Sequence, residues 1–154
     1  MRILSRIASL LALQLVFLPA VGAAQKKLIS PERDLFNATN RERLAHGLPA
    51  LQWNDALAGA ARKHASEMAH KDALSHQFPG EPSLPSRVKQ MGAHFVWLSE
   101  NVALGPNTSL IHAQLVKSPQ HRANMLDTDM NVVGIGIVER NGQLFAVEDF
   151  SKAK

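Results

Sequence analysis

NVVGIGIVERNGQLFAVEDF, residues 131–150, is two apolar, strand-compatible runs joined by Asn141-Gly142. That dipeptide is the strongest short-range signal for a two-residue hairpin, because both residues tolerate the positive φ such a turn requires. The turn also sets the register. Pairing Arg140 with Gln143 puts Gly134 opposite Asp149 and Gly136 opposite Val147, so one face carries two glycines beside a carboxylate and leaves room for something to approach. The other face sets Val133, Ile135 and Ile137 against Leu144, Ala146 and Phe150, and is apolar enough to need a covering layer of helices.

The segments before the hairpin supply those helices. Ser30-Pro31 pairs a cap residue with proline at a first helical position and predicts a helix over about 31–46, closed by Gly47. Asn54 caps a second segment, in which Leu57, Ala60, Ala61, Ala65, Met68 and Ala69 form one helical stripe. Residues 70–85, HKDALSHQFPGEPSLP, carry three prolines and a glycine without periodicity and read as a long surface loop. Leu84, Val88 and Met91 then make a short helical face closed by Gly92. HFVWLSENVALGPN runs from a β-compatible stretch into a Gly-Pro turn, and SLIHAQLV returns to helical spacing. Ser118-Pro119 breaks that helix and starts another, with Ser118 as its cap and His121 at its third position. Helices before and after a central antiparallel sheet predict an α+β fold, an α-β-α sandwich with the sheet between helical layers.

The first 24 residues, MRILSRIASLLALQLVFLPAVGAA, have a basic start at Arg2 and Arg6, an apolar run from Ile7 to Leu18 and small residues after Pro19. This is the pattern of a cleaved signal peptide, and the apolar run is short for a bilayer span. The expected domains are therefore a signal peptide at 1–24 and one domain at 25–154. With no cysteine there is no site for an acyl anchor, no disulfide and no thiolate zinc ligand. The expectation is a secreted, monomeric protein, extracellular or periplasmic, with no membrane anchor after cleavage. Losing Arg2 and Arg6 takes the 17 Lys and Arg to 15 against 13 Asp and Glu, a formal charge of +2. So balanced a chain does not point to nucleic acid as a partner.

No Gly-x-Ser-x-Gly elbow, His-Glu-x-x-His helix, phosphate loop or EF-hand loop is present. What remains is a scattered polar set: His64, His76, Glu100, His121 and Asp149. Glu100 sits among Trp97, Leu98, Val102 and Leu104, where a carboxylate needs a donor. His64 lies on the apolar stripe of the second helix and reads first as a core histidine with one hydrogen bond. Asp149, opposite Gly134, is placed either to reach an imidazole or to face water. Arg122 and Asn124 read as an ion-paired or solvated arginine and an amide bonded to nearby backbone. Two imidazoles and a carboxylate can ligate a divalent metal or serve as an acid and base pair, although the spacing of His76, Glu100 and His121 makes no local metal motif.

The order of the pieces NATNRERLAHGLPALQWNDALAGAARKHASEMA, LSHQF, SRVKQMG, SENVALG, SPQHRANML, VVGIGIV and FAVEDF resembles the CAP superfamily of cysteine-rich secretory proteins, antigen 5 and pathogenesis-related 1 proteins, in its bacterial branch. The resemblance covers about residues 34–150. It implies an α-β-α sandwich with a cleft bearing two histidines and two glutamates that sometimes binds zinc or another divalent ion. Of these, the first histidine matches His76 and the first glutamate Glu100. The second glutamate falls near Ser118, and the family's His-aromatic-Thr-Gln strand motif is missing. His121, in the Ser-Pro-x-His-Arg-x-Asn segment, is the best candidate to face the same cleft, with His64 and Asp149 secondary. The resemblance implies a secreted binding module for a lipid, sterol, peptide or protein ligand; His121 matches neither missing family residue in position, and with His76 it is the candidate zinc ligand of this chain. The alternative is a metal-dependent hydrolase of peptide or cell-envelope bonds with Glu100 as base. In a third reading the cleft is vestigial and the polar cluster only secures the fold.

Overall fold

In the computed structural model, which describes residues 30–153, the hairpin forms in the predicted register. β3 (Val132–Arg140) and β4 (Gln143–Ala153) pair antiparallel, with Gly134 opposite Asp149, Gly136 opposite Val147 and Arg140 opposite Gln143. Asn141 and Gly142 both take positive φ, 53° and 73°. The proposed signal peptide at 1–24 lies outside the described residues.

β2 (Phe95–Gly105) adds antiparallel to the far side of β4, and the two-residue β1 (Gln52–Trp53) joins β3 in parallel, giving the order β1-β3-β4-β2. The sheet is thus mixed rather than purely antiparallel. The LPALQW segment is extended at Gln52–Trp53, and it docks beside β3 because Gln52 N–H bonds to Asn131 O and Asn54 N–H to Val133 O.

Among the described residues, five helices flank the sheet: α1 (Pro31–Ala45), α2 (Asp55–Lys71), α3 (Leu84–Gln90), α4 (Thr108–Lys117) and α5 (Pro119–Met125). Ser30, Asn54 and Asn107 cap α1, α2 and α4 through their side chains. Ser118 takes the extended backbone of a cap before α5, but its side chain makes no capping bond; the capping expected of it is limited to its backbone.

Strict alternation along the strands divides the core in two. Val133, Ile135, Ala146 and Phe150 pack under α1 and α4 with Leu35, Ile111 and Leu115. Val102, Phe145 and Val147 pack under α2 with Ala61, Ala65 and Met68. The room beside the two glycines is filled by α2 itself. A Cβ on Gly134 would lie 2.0 Å from Ala58 N, and one on Gly136 would lie 2.1 Å from Arg62 N. The glycines therefore let a helix backbone rest directly on β3.

Candidate functional site

Glu100 points to the α2 side of the sheet, cross-strand from Asp149. Its side chain is 4% exposed, and two groups claim its oxygens. His76, from the proline-rich loop, bonds through Nδ1 to Oε1 at 2.9 Å, and the buried Arg87 of α3 pairs through Nη2 with Oε2. His76 is 58% exposed, so this end of the cluster meets solvent. The bond to Glu100 raises the His76 pKa above its ordinary value, outweighing partial burial.

Arg87 was not singled out from the sequence. It stands three residues after Leu84 and next to Val88, on the inward face of the short helix. An arginine on an apolar face was the available signal for the donor that Glu100 needs. Its Nη1 donates to the carbonyls of His76 and Pro82, which fastens the loop to the helix.

The charged string continues inward. Arg87 Nη1 lies 3.7 Å from Glu81 Oε1, and that oxygen is 2.6 Å from Nδ1 of the wholly buried His64. His64 Nε2 donates to Ser75 O at 2.7 Å, so a proton must also lie between Nδ1 and the carboxylate. His64 is the core histidine the stripe predicts, but with two bonds rather than one. Glu81 also accepts from Phe78 N at 3.0 Å, so it organises the loop that carries His76.

Asp149 does not face water. It is fully buried, and neither carboxylate oxygen has a hydrogen-bond partner of acceptable geometry. Burial above all, and then the Glu100 charge beside it, push its carboxyl well above the usual range, only partly opposed by Arg87. Two buried carboxyls thus lie side by side, and Glu100 is the one that Arg87 engages.

On the opposite face Glu148 is buried among apolar side chains beside Ile135. It accepts from Thr39 Oγ1 at 2.6 Å and Asn101 Nδ2 at 3.1 Å; burial raises its pKa and these bonds moderate the rise. Asn101 Nδ2 also donates to His121 O at 3.1 Å, and its Oδ1 accepts from Asn124 Nδ2 at 2.9 Å. Asn124 reaches Glu100 O as well, at 3.2 Å. The amide in the SPQHRAN stretch thus binds across to β2 rather than to neighbouring backbone, and it seats α5 over the strand that carries Glu100. Arg122 has neither an acidic partner nor only solvent: its Nη2 donates to His46 Nε2 at 2.6 Å.

His121 is half-buried at the third position of α5, and its ring takes no hydrogen bond among the described residues. Burial lowers its pKa, and the nearby charge of His76 lowers it further. His76, Glu100 and Asp149 therefore form one contiguous group with His121 at its margin, and His64 lies behind it through Glu81 and Arg87.

These residues do not fit a zinc centre as they stand. Both Glu100 oxygens and His76 Nδ1 are spent on one another and on Arg87, which leaves one nitrogen of His76 and the ring of His121. A zinc site needs three or four protein ligands, and a buried guanidinium beside it opposes a dication. Among the described residues no three His, Asp or Glu side chains are disposed to hold one ion.

The pattern of the family described as "CAP: Cysteine-rich secretory protein family" matches residues 36–150. The chain is 30% identical over 119 residues to "Uncharacterized protein YkwD" of Bacillus subtilis, an alignment covering 76% of this chain and 46% of that protein. It is 29% identical over 110 residues to "Uncharacterized membrane protein YlbC" of the same organism, covering 69% and 31%. The chain thus spans less than half the length of either relative. Among solved structures, an extracellular protein containing an SCP domain from Bacillus anthracis superposes with a TM-score of 0.71 at 26% identity, covering 79% of this chain and 40% of that one. The structure titled "NaASP2 with Zn2+" superposes with a TM-score of 0.60 at 11% identity, covering 86% and 85%, a likeness of fold.

Proposed function

Because the chain belongs to the CAP family of cysteine-rich secretory proteins, we propose that it is an exported binding module. Its cleft presents His76 and His121 above a fixed polar base, and takes up a peptide, lipid or protein ligand. One observation carries this reading: Glu100, the carboxylate a hydrolase would need as a free base, has both oxygens engaged by Arg87 and His76. A general base must reach the proton it abstracts, and this one is held. Export is supported by the pattern at residues 1–24 and by likeness to an extracellular SCP-domain protein. Among the described residues no helix is long and apolar enough to cross a membrane. We take the protein to act as a monomer with no nucleic-acid partner.

The metal-dependent hydrolase is the second reading. It draws on the fold relative crystallised with Zn2+ and on the one charge environment that His76 and His121 share. It would require Glu100 to release one of its two partners. The test compares the wild type with His76→Ala and His121→Ala by native mass spectrometry for retained small molecules and peptides, while hydrolysis of a peptide pool is followed with and without Zn2+. Retained mass that disappears in folded variants supports the binding module. Zinc-dependent turnover that disappears in His76→Ala contradicts it.

A further inference from the structure

A recess opens beside the proline-rich loop. It is a surface cavity of about 320 Å³ between one face of α2 and the Pro79–Pro82 loop, lined by Lys63, Glu67, Pro79, Glu81, Pro82 and Arg87 among others. None of His76, Glu100, His121 or Asp149 lines it. The charges around it are unequally satisfied. Glu67 pairs with Lys71 at 3.1 Å, and Glu81 is held by His64 and the Phe78 N–H. Lys63, in contrast, is exposed and makes no ion pair among the described residues. Arg87, 2% exposed at its side chain, has a buried Nε with no hydrogen-bond partner. The unpaired charge of this wall is the Lys63 ammonium, with the pyrrolidine rings of Pro79 and Pro82 as apolar flanks.

We propose that this cavity binds a small carboxylate-bearing molecule, its carboxylate paired with Lys63 on the side of the recess that Arg87 closes. Lys63 is the exposed cation of this wall and makes no ion pair among the described residues, so a carboxylate seated here meets a free ammonium. The size is at the lower end of small-molecule sites, which suits a ligand about as large as a dipeptide. A monoanion fits better than a phosphate dianion, because Glu67 and Glu81 in the same wall repel a second negative charge.

The test is an NMR titration of the folded protein with N-acetyl-Ala-Ala, with the C-terminal amide of the same dipeptide, and with inorganic phosphate. The acid is expected to shift the backbone amides of Lys63, Gly80 and Glu81 and the Arg87 Nε–H, saturating at about millimolar concentration, with the amide about tenfold weaker or worse. Lys63→Gln, an exposed substitution that leaves the fold in place, is expected to remove that preference for the acid. Equal shifts with acid and amide, no saturable shift up to about 20 mM, tighter binding of phosphate, or an unchanged preference in Lys63→Gln would each overturn the proposal. The readout is separate from the cleft: the ring signals of His76 and His121 report the binding-module reading, and Lys63 and Gly80 report this one.

Discussion

Glu100 is held by Arg87 on one oxygen and by His76 on the other, and the two partners differ in burial. Removing one member of a buried ion pair strands the other without solvent, which costs about 3–5 kcal/mol, whereas an exposed partner contributes about 1 kcal/mol or less. Glu100→Gln is therefore expected to lose several kcal/mol in denaturant melts and His76→Ala about 1 kcal/mol or less, with Arg87→Met recovering part of the Glu100→Gln loss. Equal losses for Glu100→Gln and His76→Ala would contradict this division. Asp149 gives a pH signature. Its folded-state pKa is raised above the ordinary 3.8, so the folded chain binds more protons than the unfolded one, and its contribution to stability falls as pH rises from that value. His76, also raised, acts in the same direction from its ordinary 6.5 upward. Asp149→Asn, which mimics the protonated acid, should keep the low-pH stability and flatten the decline; thermal melts across a pH series check it, and an unchanged slope would sink it. The need of Glu100 for a donor was legible from its apolar neighbours. The donor's identity required treating Arg87 as part of the helical face, and Glu148 was readable from strand alternation alone, since the register sets it beside Ile135.

Among the elements, the hairpin and the caps of α1 and α2 follow from residues close in sequence, and these were legible to within a residue or two. What the two strand glycines were for was not, because their neighbour is a helix more than seventy residues earlier in the chain. Space beside a strand glycine looks the same whether a ligand or a backbone fills it. The consequence is a contrast between glycines. Gly134→Ala would drive a Cβ into the backbone of Ala58 and Leu57 and should cost about 2–3 kcal/mol or more. Gly59→Ala, inside α2, meets only the flexible methyl end of Met91 at 2.6 Å and gains up to about 1 kcal/mol of helix propensity, so it should be near neutral or stabilising. Urea melts of the two variants decide it, and similar losses for both would contradict the packing described. The seating of α5 was likewise illegible: Asn124 bonds to Glu100 and Asn101, and nothing local to SPQHRAN signals that partner.

For the whole molecule, a chain without cysteine is held by apolar packing on both faces of the sheet, with hydrogen bonds from buried polar side chains tying elements together. Arg43 is the fullest example: from α1 it donates to the carbonyls of Pro49, Met125, Asp127 and Met130, tying the first helix to the approach to β3. The string from His64 through Glu81, Arg87 and Glu100 to His76 does the same for the long loop, while its last member meets solvent beside His121. The proposed function rests on this string holding Glu100 as the base of a ligand cleft rather than releasing it to a metal centre. Zinc titration by calorimetry near neutral pH, paired with melting temperatures of the wild type, His76→Ala and His121→Ala, tests it most directly. The expected result is binding no tighter than about 0.1 mM and no rise in melting temperature with zinc. Saturable binding at about 1 µM or tighter, lost in both histidine variants, would contradict it.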